Sequence, residues 1–147
     1  MGTTITRAIL LVEDNPADIY LIHKVLEECG FDLHLSVVTN GRDALAFLRH
    51  EAPYALEPEP VLILLDLNLP KLPGAEVLTE LRHLPGYQAT PIVVFSGADS
   101  AVEEPRCLQL GASAYRQKPS NFYAYVDTLR AIVRQWLRPA DAPDCGR

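Results

Sequence analysis

Cysteine is scarce in this sequence: Cys29, Cys107 and Cys145 are the only three, odd in number and far apart. They form no CxxC pair and imply no disulfide framework, which points to a reducing cytoplasm. Runs of five or more basic residues are absent. Acidic residues outnumber basic ones, 19 to 13, leaving a net charge of −6. That balance argues against a phosphate-binding nucleic-acid surface, and no DNA-binding domain is expected. No apolar run approaches the ~18 residues a membrane span needs. The segment Met1 to Arg7 lacks the basic region and long apolar core of a secretion signal. Neither of the glycine-rich phosphate loops, P-loop or dinucleotide type, is present, so nucleotide binding is not indicated. Internal repeats and low-complexity blocks are also missing. What remains is a chain of 147 residues, long enough for one domain with a three-layer core.

The stretch Val61-Leu62-Ile63-Leu64-Leu65 is apolar throughout, as in a strand buried on both faces of a parallel sheet. Asp66 follows where that strand should leave the core. Ala8 to Val12 is a second apolar strand, ending in Glu13-Asp14-Asn15-Pro16. Asp14 or Asn15 there can cap a helix with Pro16 in its first turn. That helix carries Ile19, Ile22, Leu26 and Cys29 on one stripe and stops at Gly30. Leu33 to Val38 reads as an outer strand, Asn40-Gly41 as a turn, and Ala44 to Leu48 as helix. Pro53, Pro58 and Pro60 make 51–60 a long loop. Val77, Leu78, Leu81 and Leu84 mark a third helix, ended by Pro85-Gly86. Ile92 to Phe95 is a fourth strand, ending in Ser96-Gly97. A fourth helix is expected between Asp99 and Leu110. With Pro105 inside it, it either bends or begins late. Ala114 to Arg116 is a short fifth strand, followed by Lys118-Pro119. Phe122, Tyr125, Val126, Leu129, Ile132, Val133 and Trp136 stripe the last helix.

Five strands alternating with five helices imply a three-layer, doubly wound parallel sheet. Right-handed crossovers bring all the strand ends to one edge, where ligands of open α/β folds bind. That edge would collect Glu13, Asp14, Asp66, Ser96 and Lys118. Three crowded carboxylates repel one another, and Lys118 answers only one charge. Hard oxygen donors with no nearby His or Cys favour Mg²⁺, which commonly shares its shell with a phosphate oxygen. An ionised aspartate can carry a phosphoryl group as an acyl phosphate, through chemistry that is mostly positioning and charge neutralisation.

Four segments carry a resemblance: Ile9 to Asp14, Leu64 to Pro70, Val93 to Gly97 and Tyr115 to Pro119. In their order and spacing the sequence resembles the receiver domain of two-component response regulators. The resemblance implies a flavodoxin-like fold of strand order 2-1-3-4-5 over residues 7–138, flanked by an N-terminal tail, 1–6, and a flexible C-terminal tail, 139–147. It implies that Asp66 is the phosphoacceptor and that Asp14, Asp66 and the backbone carbonyl of Asn68 ligate Mg²⁺, with Glu13 acting through water. Ser96 would hydrogen-bond the phosphoryl group, Tyr115 would turn inward with it, and Lys118 would pair with the phosphate across a cis Lys118–Pro119 bond. The donor would be a sensor histidine kinase, and the protein a cytoplasmic signalling module, not an enzyme. With so little chain after Arg138, a single-domain regulator is expected. The long loop 51–60, the Leu67-Asn68-Leu69-Pro70 run and the aromatic last helix look most like regulators paired with phytochrome-type kinases. Those relatives dimerise through the fourth helix, fifth strand and fifth helix. A phosphatase of the haloacid-dehalogenase type is the alternative, but Asn68 stands where it would need a second aspartate as general acid. A pseudo-receiver that is never phosphorylated fits the complete acidic set poorly.

Overall fold

A computed structural model describes residues 6–30 and 32–137. Strands β1 (Arg7–Val12), β2 (Leu33–Val38), β3 (Leu62–Leu65), β4 (Ile92–Ser96) and β5 (Ala114–Gln117) alternate with five helices. These are α1 (Pro16–Glu27), α2 (Gly41–Leu48), α3 (Gly74–Arg82), α4 (Ser100–Gln109) and α5 (Phe122–Trp136). All strand pairs are parallel, in the order β2-β1-β3-β4-β5. Side chains alternate across the pleat, so each strand feeds two cores. Leu10, Val12, Ile63, Leu65, Ile92 and Val94 pack beneath α2 and α3. Ile9, Leu11, Leu62, Leu64, Val93 and Phe95 pack beneath α1 and α5. The buried apolar runs foreseen in β1, β3 and β4 arise from this two-sided covering.

Register fixes where the strands end. Val12 and Leu65 are partners, as are Leu65 and Val94, so Glu13 and Asp66 leave the core at one level. The Asp66 amide donates to the Val12 carbonyl (3.0 Å) and the Glu13 amide to that of Val38 (3.0 Å). Two glycines let the neighbouring loops close in. A Cβ on Gly74 would lie 2.5 Å from the Asp66 carbonyl oxygen, and one on Gly41 only 2.3 Å from that of Leu72. Main-chain atoms cannot yield to such an intrusion as a flexible side chain would.

Several details depart from the sequence reading. Val61 is 46% exposed and outside β3, because strand pairing starts only at Leu62. Asn40 caps α2, accepting a hydrogen bond from the Asp43 amide at 2.8 Å, so Asn40-Gly41 begins a helix and is not a free turn. Pro105 lies inside α4, which starts at Ser100 behind its Asp99 cap. The helix therefore does not begin late. The Lys118–Pro119 bond is trans, and the cis bond among the described residues is Ala52–Pro53. Trans is the preferred state of an X–Pro bond that nothing forces over. Phe122 is 54% exposed and leaves the α5 stripe, which keeps Tyr125, Leu129, Ile132 and Val133 buried, with Val126 and Trp136 partly buried against them. Cys107 is a buried free thiol. The two tails fall outside the described residues apart from Thr6, whose hydroxyl donates to Asp32 at 2.8 Å.

Candidate functional site

The β1–α1 turn is held from within. Asn15 accepts hydrogen bonds from the amides of Ala17 (2.9 Å) and Asp18 (3.1 Å), capping α1. The Asn15 amide in turn donates to Glu13 Oε2 at 3.2 Å. Glu13 therefore points inward and is buried, while Asp14 is exposed on the rim. Asp66 is buried at the end of β3. Carboxylate oxygens of Glu13, Asp14 and Asp66 all lie within 4.8 Å of one another. Asp66 Oδ1 is buried and accepts no hydrogen bond. An orphaned anionic oxygen inside such a set is costly unless something answers it. The donor set, all hard oxygen, fits a divalent cation.

Lys118 reaches this cluster from the end of β5. Its amide donates to the Ser96 carbonyl at 2.7 Å, tying the ends of β4 and β5. Its Nζ lies 2.6 Å from Glu13 Oε1, 3.0 Å from Asp18 Oδ2 and 3.9 Å from Asp66 Oδ1. Burial works against charge on this amine, but Glu13, Asp66 and Asp18 more than offset it and hold the pKa above the ordinary lysine range. Burial likewise pushes the Glu13 carboxyl up, to about 7, with the Asp66 charge adding to the rise and Lys118 opposing it.

Ser96 is wholly buried, and its Oγ accepts from the Ala98 amide at 3.3 Å. Tyr115 is buried with its hydroxyl donating to the Ala98 carbonyl at 2.6 Å. Burial pushes that phenol up to about 12. The ring thus already faces inward, gripping the loop that leaves Ser96. Asn68 is exposed in the loop after β3 and contributes no side chain to the cluster.

Of the residues foreseen, the structure gathers Glu13, Asp14, Asp66 and Lys118, with Ser96 fixed beside them through β4. Two others escaped sequence reasoning. Asp18, in the first turn of α1, accepts from Lys118 and from the Tyr125 hydroxyl of α5. In sequence Asp18 reads as an ordinary acid at a helix start and Tyr125 as part of an apolar stripe. The available signal was that Asp18 lies one helical turn beyond Asp14, on the side facing the strand edge.

A strand-edge cluster of carboxylates, with serine and lysine on adjacent strand ends of a 2-1-3-4-5 sheet, stands at the ligand-binding edge of a doubly wound, flavodoxin-like protein. Residues 9–130 match the response regulator receiver domain, and the chain belongs to that family. It is 35% identical to the response regulator Rcp1 of Synechocystis sp., covering 93% of each chain. The Mn²⁺-bound structure of Rcp1 superposes with a TM-score of 0.86, at 35% identity over 93% of this chain and 99% of that one. The phosphorylated cyanobacterial phytochrome response regulator RcpA gives 0.88, at 37% identity over 95% and 99%. The receiver domain of the Pseudomonas aeruginosa histidine kinase PA1611, with magnesium in its active-site cleft, gives 0.67 at 28% identity over 90% and 98%. The chain is thus a receiver domain of two-component phosphorelay signalling, a family whose members interact with histidine kinases. Neither the family match nor these neighbours support a phosphatase of the haloacid-dehalogenase type. No helix among the described residues is long and apolar enough to cross a membrane.

Proposed function

We propose that Asp66 accepts a phosphoryl group from a sensor histidine kinase in a Mg²⁺-dependent reaction, and that the phosphorylated domain signals through an altered surface. The observation that carries this reading is Asp66 Oδ1: buried, without a hydrogen bond, and 3.9 Å from the Lys118 ammonium. This oxygen forms the new P–O bond as the P–N bond of the kinase phosphohistidine breaks, and the released imidazole nitrogen takes up a proton. Asp14, Asp66 and the backbone carbonyl of Asn68 would ligate Mg²⁺, with Glu13 acting through water. Bound there, the ion supplies charge neutralisation at the phosphoryl oxygens. Lys118 pairs with the phosphoryl group, Ser96 donates its hydroxyl to it, and Tyr115 reads the movement of the loop after Ser96.

The receiver spans 7–138, with 1–6 and 139–147 as tails. A kinase of the phytochrome type is the partner, a reading supported by the likeness to the phytochrome response regulator RcpA. The protein acts in the cytoplasm as a phosphoacceptor with no turnover on other substrates. It forms a homodimer through α4, β5 and α5, where α4 leaves Val102 and Leu108 exposed. The test is labelling by acetyl phosphate in Mg²⁺. The wild type takes up one acid-labile equivalent, and Asp66→Asn takes up none. Undiminished labelling of the variant would refute the assignment.

A further inference from the structure

Lys118 has three carboxylates within ion-pair distance, and the nearest two are not the acceptor. Glu13 Oε1 stands at 2.6 Å and Asp18 Oδ2 at 3.0 Å, with Asp66 Oδ1 beyond them at 3.9 Å. Asp18 is outside the three-carboxylate cluster that could hold a cation. It is also unable to follow the lysine. Its amide is fixed by the Asn15 cap at 3.1 Å, and its Oδ1 accepts from the Tyr125 hydroxyl. Tyr125 is itself buried and set edge-on against Phe95, with ring centroids 5.2 Å apart. The lysine ammonium lies 5.8 Å from the centroid of that same Phe95 ring. The Asp18 carboxylate is therefore an anchored anion nearer to the Lys118 ammonium, at 3.0 Å, than Asp66 is, at 3.9 Å.

We propose that Asp18 is a positioning residue, clamped by Tyr125, that holds Lys118 withdrawn from Asp66. The inference rests on the reading of Asp66 as phosphoacceptor. A phosphoryl group arriving on Asp66 must win the ammonium away from Asp18, so Asp18 weakens the grip of the site on its phosphoryl group. A charge-assisted hydrogen bond of this kind must be exchanged and is not simply gained. An acid that served only to complement the α1 dipole would have no such effect.

The experiment titrates beryllium fluoride, a phosphoryl mimic, into the full chain at saturating Mg²⁺ and follows the heat of binding. Asp18→Asn and the smaller Asp18→Ser should both bind about tenfold more tightly than wild type. Asp18→Glu, which restores the charge, should return to wild-type affinity. In a Lys118→Gln background, adding Asp18→Asn should change nothing, since the ammonium is gone. Equal or weaker binding by both neutral variants, or the same tightening without Lys118, would overturn the proposal. Failure of wild type itself to bind the mimic would instead overturn the assignment of Asp66, and this inference with it.

Discussion

Glu13 is where a proton and the proposed cation would compete. Its carboxyl is raised to about 7, first by burial and then by the Asp66 charge. A proton held there must leave before the side chain can serve a cation. Apparent Mg²⁺ affinity should therefore rise as pH is taken from about 6 to about 8, then level off. Glu13→Gln should flatten that rise, and calorimetric titration at several pH values checks both. Between the ordinary value of 4.5 and about 7 the folded chain holds a proton that the unfolded chain lacks. The contribution of Glu13 to stability is thus full below the lower value and lost as pH climbs through the upper one. A cation at the site would work in the opposite direction, stabilising the fold most at high pH.

At the scale of elements, α4 is the least secured. Cys107 is its one buried residue, and Pro105 removes the amide that would bond to the Ala101 carbonyl. Pro105→Ala should stabilise the domain by about 2 kcal/mol, the helix-interior cost of proline less its benefit in restricting the unfolded chain. Urea unfolding measures this, and an unchanged midpoint would show that the helix already accommodates the ring. By contrast, α3 is bolted down at its end. Arg82 donates to the carbonyls of Tyr87 (2.9 Å), Thr90 (2.8 Å) and Gly111 (2.7 Å), joining it to the loop before β4 and the turn before β5. These elements differ in how much their residues revealed. The strands β1, β3 and β4 were legible because burial on both faces leaves an unbroken apolar run. The α4 start was not, since Asp99 as a cap and Pro105 as a first-turn residue point to different origins for the same helix. The role of Asn40 was obscured because Asn-Gly serves turns and caps alike.

Across the whole molecule, the sheet edge was legible and its inner wiring was not. Alternation of strands and helices is enough to bring Asp14, Asp66 and Lys118 together, since topology alone sets which ends share an edge. The partners of Lys118 depend on side-chain reach across β1, α1, β5 and α5, which spacing along a chain does not encode; Asp18 and Tyr125 emerged only in three dimensions. The α5 aromatics show the same limit. Phe122 and Tyr123 are exposed, but they line a groove of roughly 480 Å³ with Tyr20 and Lys24 of α1, away from α4. The proposed dimerisation through α4, β5 and α5 would thus lean on Val102 and Leu108, exposed by 64% and 44%. Replacing both with Asp should render a dimer monomeric in sedimentation analysis, while altering the unfolding free energy by no more than about 0.5 kcal/mol per site.

The bare α-carbon of Gly74 gives the molecule a mechanical property. Where it abuts the carbonyl of Asp66, helix and acceptor peptide share one van der Waals boundary, with no side chain as cushion. A push on either is felt by the other, so the start of α3 and the peptide of Asp66 act as a hard mechanical stop for one another.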